Sequence, residues 1–555
     1  MTPKLWPYVL VLLLAGLSWL SWIWYQHYHY YVTTGQELGM MGKQWWAGML
    51  VLGMIGLAIF GGHAAWLNRA AVAATDTGAA DGLQAGTTSP AVRWSNPSPL
   101  MRQEGRNFVL EVRAIGAAVD AIVNDEIWKG IEKKGETHMT FLPTDPSSYP
   151  DNDFKREHIY GMSIGLSFEY GARGIVDQWP MPAIAYGPPK HYSSGNRAGK
   201  SISSGRSAAG LGVALFLWED DANTEDGAES LEKLFSFFDR NPDVPAAMVI
   251  SRDGTYDRLL RRAPGSGRIQ LGEGKVDMPD SMGALMVTRS DRVDQLVRPF
   301  AVHIPRGVNK TNTAYDLIKQ WNFYWKKNVD NGPDSFEAQY KKAEAEKGVL
   351  YPTFPGTMSS TYWHSQLPEL WKTISNKGPG QFNPSPYLPI RWTDWQVKQF
   401  DAMPLLGYLH RPVDVNLNDE HGKPLRTPYQ VQALKEGWAR AVEGLEGQRQ
   451  PRRVFYDTST DKHWVIALTQ ALGQSGDDAP RPGELKEGYD IGHRIGKTGV
   501  SSPLIQVGLA IVAGYEDGAA SATVNLRPGG RASIVMVSPP EPERKKSMMQ
   551  AFGAP

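Results

Sequence analysis

One serine of the sequence lies in a motif that could supply a nucleophile. Residues 161–165 read Gly-Met-Ser-Ile-Gly and match the G-x-S-x-G pattern of serine hydrolases, with Ser163 as the nucleophile. In those enzymes a strand enters the motif and a helix leaves it, which exposes the hydroxyl above a sheet. The segment that follows, LSFEYGARG, predicts no helical face. An envelope serine hydrolase that uses Ser163 therefore stays an alternative function.

A second motif resembles a phosphate-binding loop. Residues 195–201 read Gly-Asn-Arg-Ala-Gly-Lys-Ser, one residue shorter than the loop of P-loop proteins. The flanking segments HYSSG and SISSGRS predict neither the strand nor the helix that such a loop requires. We interpret this stretch as a basic loop rich in glycine and serine.

The histidines show no spacing typical of metal ligands. Five histidines beyond residue 98 were weighed as metal ligands, and they are isolated from one another in the sequence: His303, His364, His410, His463 and His493. Zinc sites on helices usually place two histidines one turn apart, as in H-E-x-x-H. The sequence thus predicts no catalytic, cofactor-binding or metal-binding residues, and no cofactor.

Composition narrows the class of partner. The chain has 58 Lys and Arg against 58 Asp and Glu, so its net charge is zero with neutral histidine, and it offers no basic footprint for nucleic acid. It contains no cysteine, which excludes disulfides, thiolate metal sites and cysteine nucleophiles. With 41% hydrophobic and 21% charged residues, the region beyond residue 98 can form a substantial core.

Two apolar segments near the start predict membrane spans. Residues 6–25 and 45–67 contain no Asp, Glu, Lys or Arg, and each has the roughly 20 residues that a helix needs to cross a bilayer. We predict a transmembrane hairpin over residues 1–69 and a flexible linker over 70–98. The small, polar composition of that linker shows no apolar periodicity.

The few charges around the spans favour one orientation. Lys4 precedes the first span and Arg69 follows the second, whereas the loop between them holds Lys43 against Glu37. Because Lys and Arg dominate topology, both ends are expected in the cytoplasm. A periplasmic body stays the alternative.

The remainder predicts an α/β fold in two subdomains. Over 99–340, apolar runs at 107–116, 211–220, 244–251 and 282–290 predict strands, and 229–241 and 313–330 predict helices. Over 341–540, strand-like 404–415, helical 429–445 and a strand at 452–460 repeat this order, which suggests a duplication. The end of that region, 505–540, predicts β runs at 508–515, 520–526 and 531–538, joined by Gly-rich turns, with 527–530 as a hairpin connection. A tail, 541–555, completes the chain.

Three segments carry a resemblance to a known family. Residues 351–371 (YPTFPGTMSSTYWHSQLPELW), 394–415 and 495–527 resemble the bacterial type VI lipase adaptor proteins. The resemblance extends over roughly residues 100–540. It implies a protein without catalytic residues that binds a phospholipase effector and delivers it to the spike of the type VI secretion apparatus. Effector loading also implies a cytoplasmic body at the bacterial inner membrane. It leaves the oligomeric state open.

The aromatic segments 351–371 and 382–395 are our hypothesis for the docking surface. Their tryptophans, Trp363, Trp371, Trp392 and Trp395, are the predicted partner contacts. Ordered loops packed on a core would account for the same composition. A structural envelope scaffold, with the hairpin for assembly, stays a third reading of the chain's function.

Overall fold

The computed structural model describes residues 108–552, except for 135–136, 144, 151, 190–197, 261–277, 331–353, 379, 446 and 448, together with Gly16, Ser18, Trp19 and Ser21. Apart from those four residues, the predicted hairpin and the linker lie outside this description. So does the boundary predicted near residue 340, and the division into 99–340 and 341–540 stays a prediction. Among the described residues, no helix combines the length and apolarity that a membrane span requires.

A mixed sheet of 13 strands runs through the described residues and confirms the predicted α/β class. Its strands are β1 (Leu110–Val119), β2 (Ile122–Val123), β3 (Pro180–Gly187), β4 (Leu215–Asn223), β5 (Ala246–Asp253), β6 (Ser281–Thr288), β7 (Thr357–Ser359), β8 (Gly407–Leu409), β9 (Val413–Asn416), β10 (Arg453–Tyr456), β11 (Gly488–Asp490), β12 (Ser521–Arg527) and β13 (Arg531–Ser538). Their order across the sheet is β11-β10-β12-β13-β8-β1-β6-β5-β3-β4-β7, with β2 beside β1 and β9 beside β13.

Helices cover both faces of this sheet. Among the described residues, the α-helices of five or more residues are α1 (Asn124–Lys133), α2 (Asp153–Gly171), α3 (Ala198–Ala208), α4 (Glu229–Arg240), α5 (Thr255–Leu260), α6 (Asp316–Asp330), α7 (Ser360–Trp371), α8 (Asp394–Ala402), α9 (Thr427–Glu443), α10 (Trp464–Gly473), α11 (Ser502–Asp517) and α12 (Met548–Phe552). The predicted face of α4, formed by Leu231, Leu234, Phe235 and Phe238, is fully buried. Amphipathic spacing therefore identified this helix correctly.

Strand order and direction recur in the two halves. In the first half the order is β4-β3-β5-β6, with β3 parallel to β4 and β5, and β5 antiparallel to β6. In the second half it is β11-β10-β12-β13, with β10 parallel to β11 and β12, and β12 antiparallel to β13. One further strand of each half pairs in the same way, because β1 is antiparallel to β6 and β9 is antiparallel to β13. A common origin of the halves stays a prediction.

The strand β1 lies between two helices that cover opposite faces of the sheet. A Cβ atom added at Gly116 would lie only 1.9 Å from the Ser167 carbonyl oxygen of α2, so only glycine permits this approach. Ser167 donates its hydroxyl to the Gly116 carbonyl at 2.6 Å. The next residue, Ala117, faces Gly508 of α11. Successive side chains of a strand point to opposite faces, so α2 and α11 enclose β1.

Two predicted segments have a different secondary structure. Residues 508–515, predicted as a β run, lie within helix α11, where every side chain from Ser502 to Tyr515 is buried. Burial on all sides removes the 3.6-residue periodicity by which a helix is recognised. Of the segment predicted as a Gly/Ser loop, residues 195–201, the part from Ala198 onward lies in helix α3. The preceding residues are outside the described part of the chain, and the sequence is one residue short of a phosphate loop.

Buried aspartates lie where β1, β5 and β6 begin or end. The Asp280 carboxylate accepts hydrogen bonds from the backbone N–H groups of Tyr256 (3.1 Å) and Asp257 (3.2 Å). The Asp280 N–H donates to the Asp120 carboxylate at 3.1 Å. Burial, reinforced by the charge of Asp120, raises the pKa of Asp280 to about 8. Burial also raises the pKa of Asp120 to about 6, against the hydrogen bond from Asp280 and the charge of Arg156.

These shifts predict stability that falls as pH rises. Both folded-state pKa values exceed the unfolded value of about 3.9, so the folded protein binds more protons between about pH 4 and 8, and stabilisation is lost across that window. We expect Asp280→Asn, which keeps the accepting oxygen, to flatten the dependence and to raise the unfolding free energy at pH 8 by about 1–2 kcal/mol. Urea denaturation between pH 5 and 8 measures this, with the exposed Asp478→Asn as control. Equal slopes for Asp280→Asn and wild type would contradict it.

Candidate partner-binding surface

Helix α7, which belongs to the aromatic segment 351–371, packs against α6 beside strands β4 and β7 at the edge of the sheet. The hydroxyl of Tyr324 in α6 donates to the Phe216 carbonyl of β4 at 2.8 Å. Asn328, one turn further on, donates to the carbonyls of Phe354 and Thr357, each at 2.9 Å. These bonds attach α6 to both edge strands. The outer surface of α6 and α7 is therefore anchored to the sheet through these hydrogen bonds.

Trp363 is inside this layer. Its side chain is 0% exposed and packs against the rings of Tyr324 (5.7 Å) and Phe323 (6.0 Å) of α6. Its indole N–H donates to the Pro386 carbonyl at 3.3 Å. An indole in this position cannot touch a partner. Trp363 holds α7 against α6 instead of being a contact residue.

Trp392 is likewise internal. It is 2% exposed, with its ring 5.1 Å from Trp179 in an edge-on arrangement and 6.1 Å from Phe400. The Trp179 indole N–H in turn donates to the Tyr387 carbonyl at 2.9 Å. The prediction that Trp363 and Trp392 contact a partner is thus corrected: both support the surface from within.

The other two predicted tryptophans reach the surface. Trp371, the last residue of α7, is 37% exposed. Trp395 is half-buried and packs against a small cluster that contains Ile304, Leu317 and Ile390. Of the four indoles, Trp371 offers the largest free face. Binding of a partner at Trp371 and Trp395 stays a prediction.

Lysines lie around Glu369, two residues before Trp371, in an arrangement that the sequence analysis did not predict. Glu369 accepts a hydrogen bond from the Lys327 ammonium at 2.7 Å. That bond, together with the charges of Lys326 and Lys372, lowers the pKa of Glu369. One carboxylate therefore lies among three ammonium groups contributed by two helices. Because Lys372 lies far in sequence from the adjacent Lys326 and Lys327, no charge run indicated the group.

The surrounding segments are basic as a whole. Residues 303–330 and 360–391 carry eight basic side chains against three acidic ones, in a chain whose net charge is zero. The bases are Arg306, Lys310, Lys319, Lys326, Lys327, Lys372, Lys377 and Arg391, and the acids are Asp316, Asp330 and Glu369. We call Lys326, Lys327, Glu369 and Lys372, together with Trp371, the neighbour of Lys372 in the sequence, the lysine face.

Aromatic rings position two of the basic groups in these segments. The Lys327 ammonium lies 5.3 Å from the centre of the Phe323 ring, and the Lys310 ammonium lies 5.4 Å from that of Trp321. An ammonium at this distance is attracted by the electron-rich ring face. The stems of both lysines therefore lie along the aromatic layer, and less rotamer entropy remains to be lost on binding.

A different charge distribution occurs at a surface pocket of about 510 Å³ beside α4 and the β12–β13 hairpin. Here Arg527, whose side chain is 2% exposed, forms ion pairs with Asp226 (2.8 Å), Asp414 (3.2 Å) and Glu232. Arg531 pairs with Asp414 at 2.8 Å. The charges of this pocket are neutralised within the chain, whereas those of the lysine face are in excess.

The geometry at Ser163 differs from that of a nucleophile elbow. Ser163 lies in the middle of helix α2, is 2% exposed, and donates its hydroxyl to the Tyr160 carbonyl at 2.9 Å. The expectation that no helix follows the motif was wrong, because the helix spans the whole motif. A helix interior does not provide the strand–turn–helix that presents the serine.

The predicted histidines occupy separate places. His303 pairs with Asp394 at 3.0 Å on the surface, and buried His410 bonds Ser538 at 2.7 Å. The ring of His364 lies edge to face with that of Tyr387, and burial lowers the pKa of His364. Within the described part of the chain, no group of three or more His, Asp or Glu side chains could hold a metal ion.

Two family models match this chain. The N-terminal model of the type VI lipase adapter protein Tla3 matches residues 108–271, and the C-terminal model of the same protein matches residues 406–539. Together they span more than half of the 555 residues. The chain belongs to the type VI lipase adapter Tla3 family. This match confirms the resemblance read from the sequence. The family description implies an adapter for a lipase effector.

Solved structures with a distant similarity include enzymes. A ketosynthase from module 1 of the bacillaene synthase of Bacillus amyloliquefaciens FZB42 has 9% identity and a TM-score of 0.37, covering 78% of this chain and 76% of its own. The 3-oxoacyl-(acyl carrier protein) synthase III of Pseudomonas aeruginosa PAO1 has 10% identity and a TM-score of 0.33, with 78% and 99% covered. The peroxisomal thiolase of Saccharomyces cerevisiae has 11% identity and a TM-score of 0.32, with 80% and 100% covered. Such values support no inference about activity.

The different burial of Trp363 and Trp371 predicts that their replacement changes the stability of the protein by very different amounts. Trp363→Ala leaves a cavity beneath α7 and should lower the unfolding free energy by about 3–5 kcal/mol. Trp371→Ala, at the exposed end of the same helix, should change it by less than about 1 kcal/mol. Denaturant unfolding followed by far-UV circular dichroism compares the two. A similar loss for both variants would show that Trp371 also belongs to the core.

Proposed function

We propose that this chain binds a phospholipase effector of the type VI secretion system and delivers it to the secretion spike. The observation that carries the proposal is the match of two lipase adapter models to both halves of the sheet. Delivery to the spike is part of the proposal because an adapter must hand its effector to the structure that exports it. The lysine face with Trp371 is the proposed contact for the effector.

The proposal includes a membrane tether. The uncharged apolar segments 6–25 and 45–67 are each long enough to span a bilayer, and the positive charges that flank them favour a body in the cytoplasm, where an effector is loaded. A periplasmic body is the alternative arrangement. Protease accessibility of the body in spheroplasts distinguishes the two, since protease added outside reaches only a periplasmic body.

The proposal predicts a defined complex. The tagged full-length chain is purified in detergent from its own bacterium, and mass spectrometry identifies the proteins that elute with it. A phospholipase should be present in near-stoichiometric amount. A spike protein should elute with them, or should bind once the lipase is added. The isolated chain and the isolated lipase should then form the complex in vitro. If neither a lipase nor a spike protein is recovered, the adapter function is wrong.

Trp371 should matter for this complex. We expect Trp371→Ala to weaken lipase binding at least about tenfold, because large aromatic side chains at the centre of an interface contribute most of its affinity. Tyr429→Ala is the matched control, since Tyr429 is an aromatic residue of α9 that is 64% exposed. Isothermal titration calorimetry with the purified lipase gives both affinities. A Trp371→Ala variant that binds like wild type would remove Trp371 from the interface.

We propose that hydrolysis belongs to the effector and that this chain is not itself an enzyme. Ser163→Ala should therefore leave the phospholipase activity of the complex unchanged, since the Ser163 hydroxyl is bonded inside α2. Phospholipid hydrolysis by the chain alone, lost in Ser163→Ala, would contradict this and restore the hydrolase reading.

A further inference from the structure

The lysine face has an excess of positive charge that its own acids do not neutralise. Glu369 is the carboxylate among Lys326, Lys327 and Lys372, so this group carries two more positive charges than negative ones. Asp316, the nearest acid on α6 with a described side chain, is already engaged. It pairs with Lys319 at 3.1 Å and accepts the backbone N–H groups of Ser375 and Asn376. The positive charge therefore faces outward.

The face is also held in a fixed shape. Its helices are attached to β4 and β7 through Tyr324 and Asn328, and the buried Trp363 joins α7 to α6. The Lys327 stem lies on the Phe323 ring. The helices that carry the lysines, and the side chain of Lys327, are therefore already in place in the unbound state, so binding loses less conformational freedom.

Glu369 argues for a protein rather than a lipid as the occupant. Its lowered pKa keeps it ionised, and its side chain remains 54% exposed between the lysines. An anionic membrane surface would be attracted by the net positive charge, but its headgroups carry no fixed pattern that complements Glu369. A folded partner can place acids opposite the lysines and a neutral or basic group opposite Glu369, with an apolar patch against Trp371.

From these observations we infer that the lysine face binds an acidic, partly apolar surface patch of the lipase effector. This inference rests on the proposed function and names the chemistry by which the effector is recognised. Complementary charge mainly raises the rate of association and excludes partners without the matching pattern. The exposed Trp371 supplies the apolar contact that charge alone does not provide.

The test reverses charge at two exposed positions. In the full-length chain, Lys326→Glu combined with Lys372→Glu should weaken binding of the lipase identified by co-purification about tenfold or more, mostly through slower association. For wild type, raising NaCl from about 0.05 to about 0.5 M should slow association markedly, because salt screens exposed charges. The double variant should lose most of this dependence. Stopped-flow or surface plasmon resonance measurements give these rates.

A matched control makes the same change in net charge elsewhere. Lys423→Glu combined with Lys462→Glu alters two exposed lysines of the second half and should leave association nearly unchanged. Equal slowing by both double variants would show an effect of net charge alone and would overturn the inference. Both double variants should show wild-type circular dichroism and unfolding midpoints, since all four lysines are exposed.

Two further outcomes separate the possible failures. If the wild-type chain does not bind the lipase, the proposed function itself fails. If wild type binds but the Lys326/Lys372 variant binds equally fast and tightly, only the inference about the lysine face fails. Sedimentation with phosphatidylglycerol–phosphatidylcholine vesicles tests the lipid alternative: binding of vesicles that requires Lys326 and Lys372, with lipase binding unaffected, would assign the face to the membrane.

Discussion

Strand β1 is the structural constraint on which the rest of the described body depends. It pairs with β6 along nearly its whole length and with β8 at its start, so it joins the strands of the first half to those of the second. Its ten residues are all buried, including Glu111 and Arg113, which form an ion pair at 2.6 Å. Burial would raise the pKa of Glu111, but Arg113 and the hydroxyl groups around it outweigh that effect and lower it. A shift of register by one residue would move these charges to the wrong face, so the pair also fixes the alignment of the halves.

The sequence predicted elements with a recognisable local pattern: short apolar runs for the buried strands β1, β5 and β6, one-sided burial for a helix, or a turn of specific chemistry. Helix α4 presents its apolar residues on one face, and β12 and β13 are joined by Gly529 and Gly530, both with positive φ. Such patterns follow from local geometry. Part of helix α11 was predicted to be a strand because the helix is buried on every side. This burial results from its packing against β1 and the rest of the fold. Tertiary surroundings, which the sequence does not display, decided that segment.

The sequence predicted an aromatic region but not which of its indoles are exposed, and binding of a partner there stays a prediction. The aromatic composition of 351–371 and 382–395 indicated a packed aromatic region, and one exists around α6 and α7. Which indoles would be inside could not be read from composition, since Trp363 is buried only because α6 lies across it. The lysines were missed for a similar reason: Lys326 and Lys372 are 46 positions apart and meet only after α6 and α7 pack together.

The location of the lysine face suggests how the fold divides its tasks. The two matched ranges, 108–271 and 406–539, contain nearly all of the two repeated strand patterns. The lysine face lies between those ranges, on residues 326–372, whose described part contributes the edge strand β7 to the sheet. Residues at such an edge can change without disturbing β1 or its neighbours, because no other strand pairs with them beyond β4. In the proposed function, the sheet carries this segment as a separate recognition element, so the fold can keep its core while a few exposed charges and one indole set the partner preference. Specificity of this kind depends on placement more than on contact area, since charges held at fixed spacing reject a partner whose acids are elsewhere.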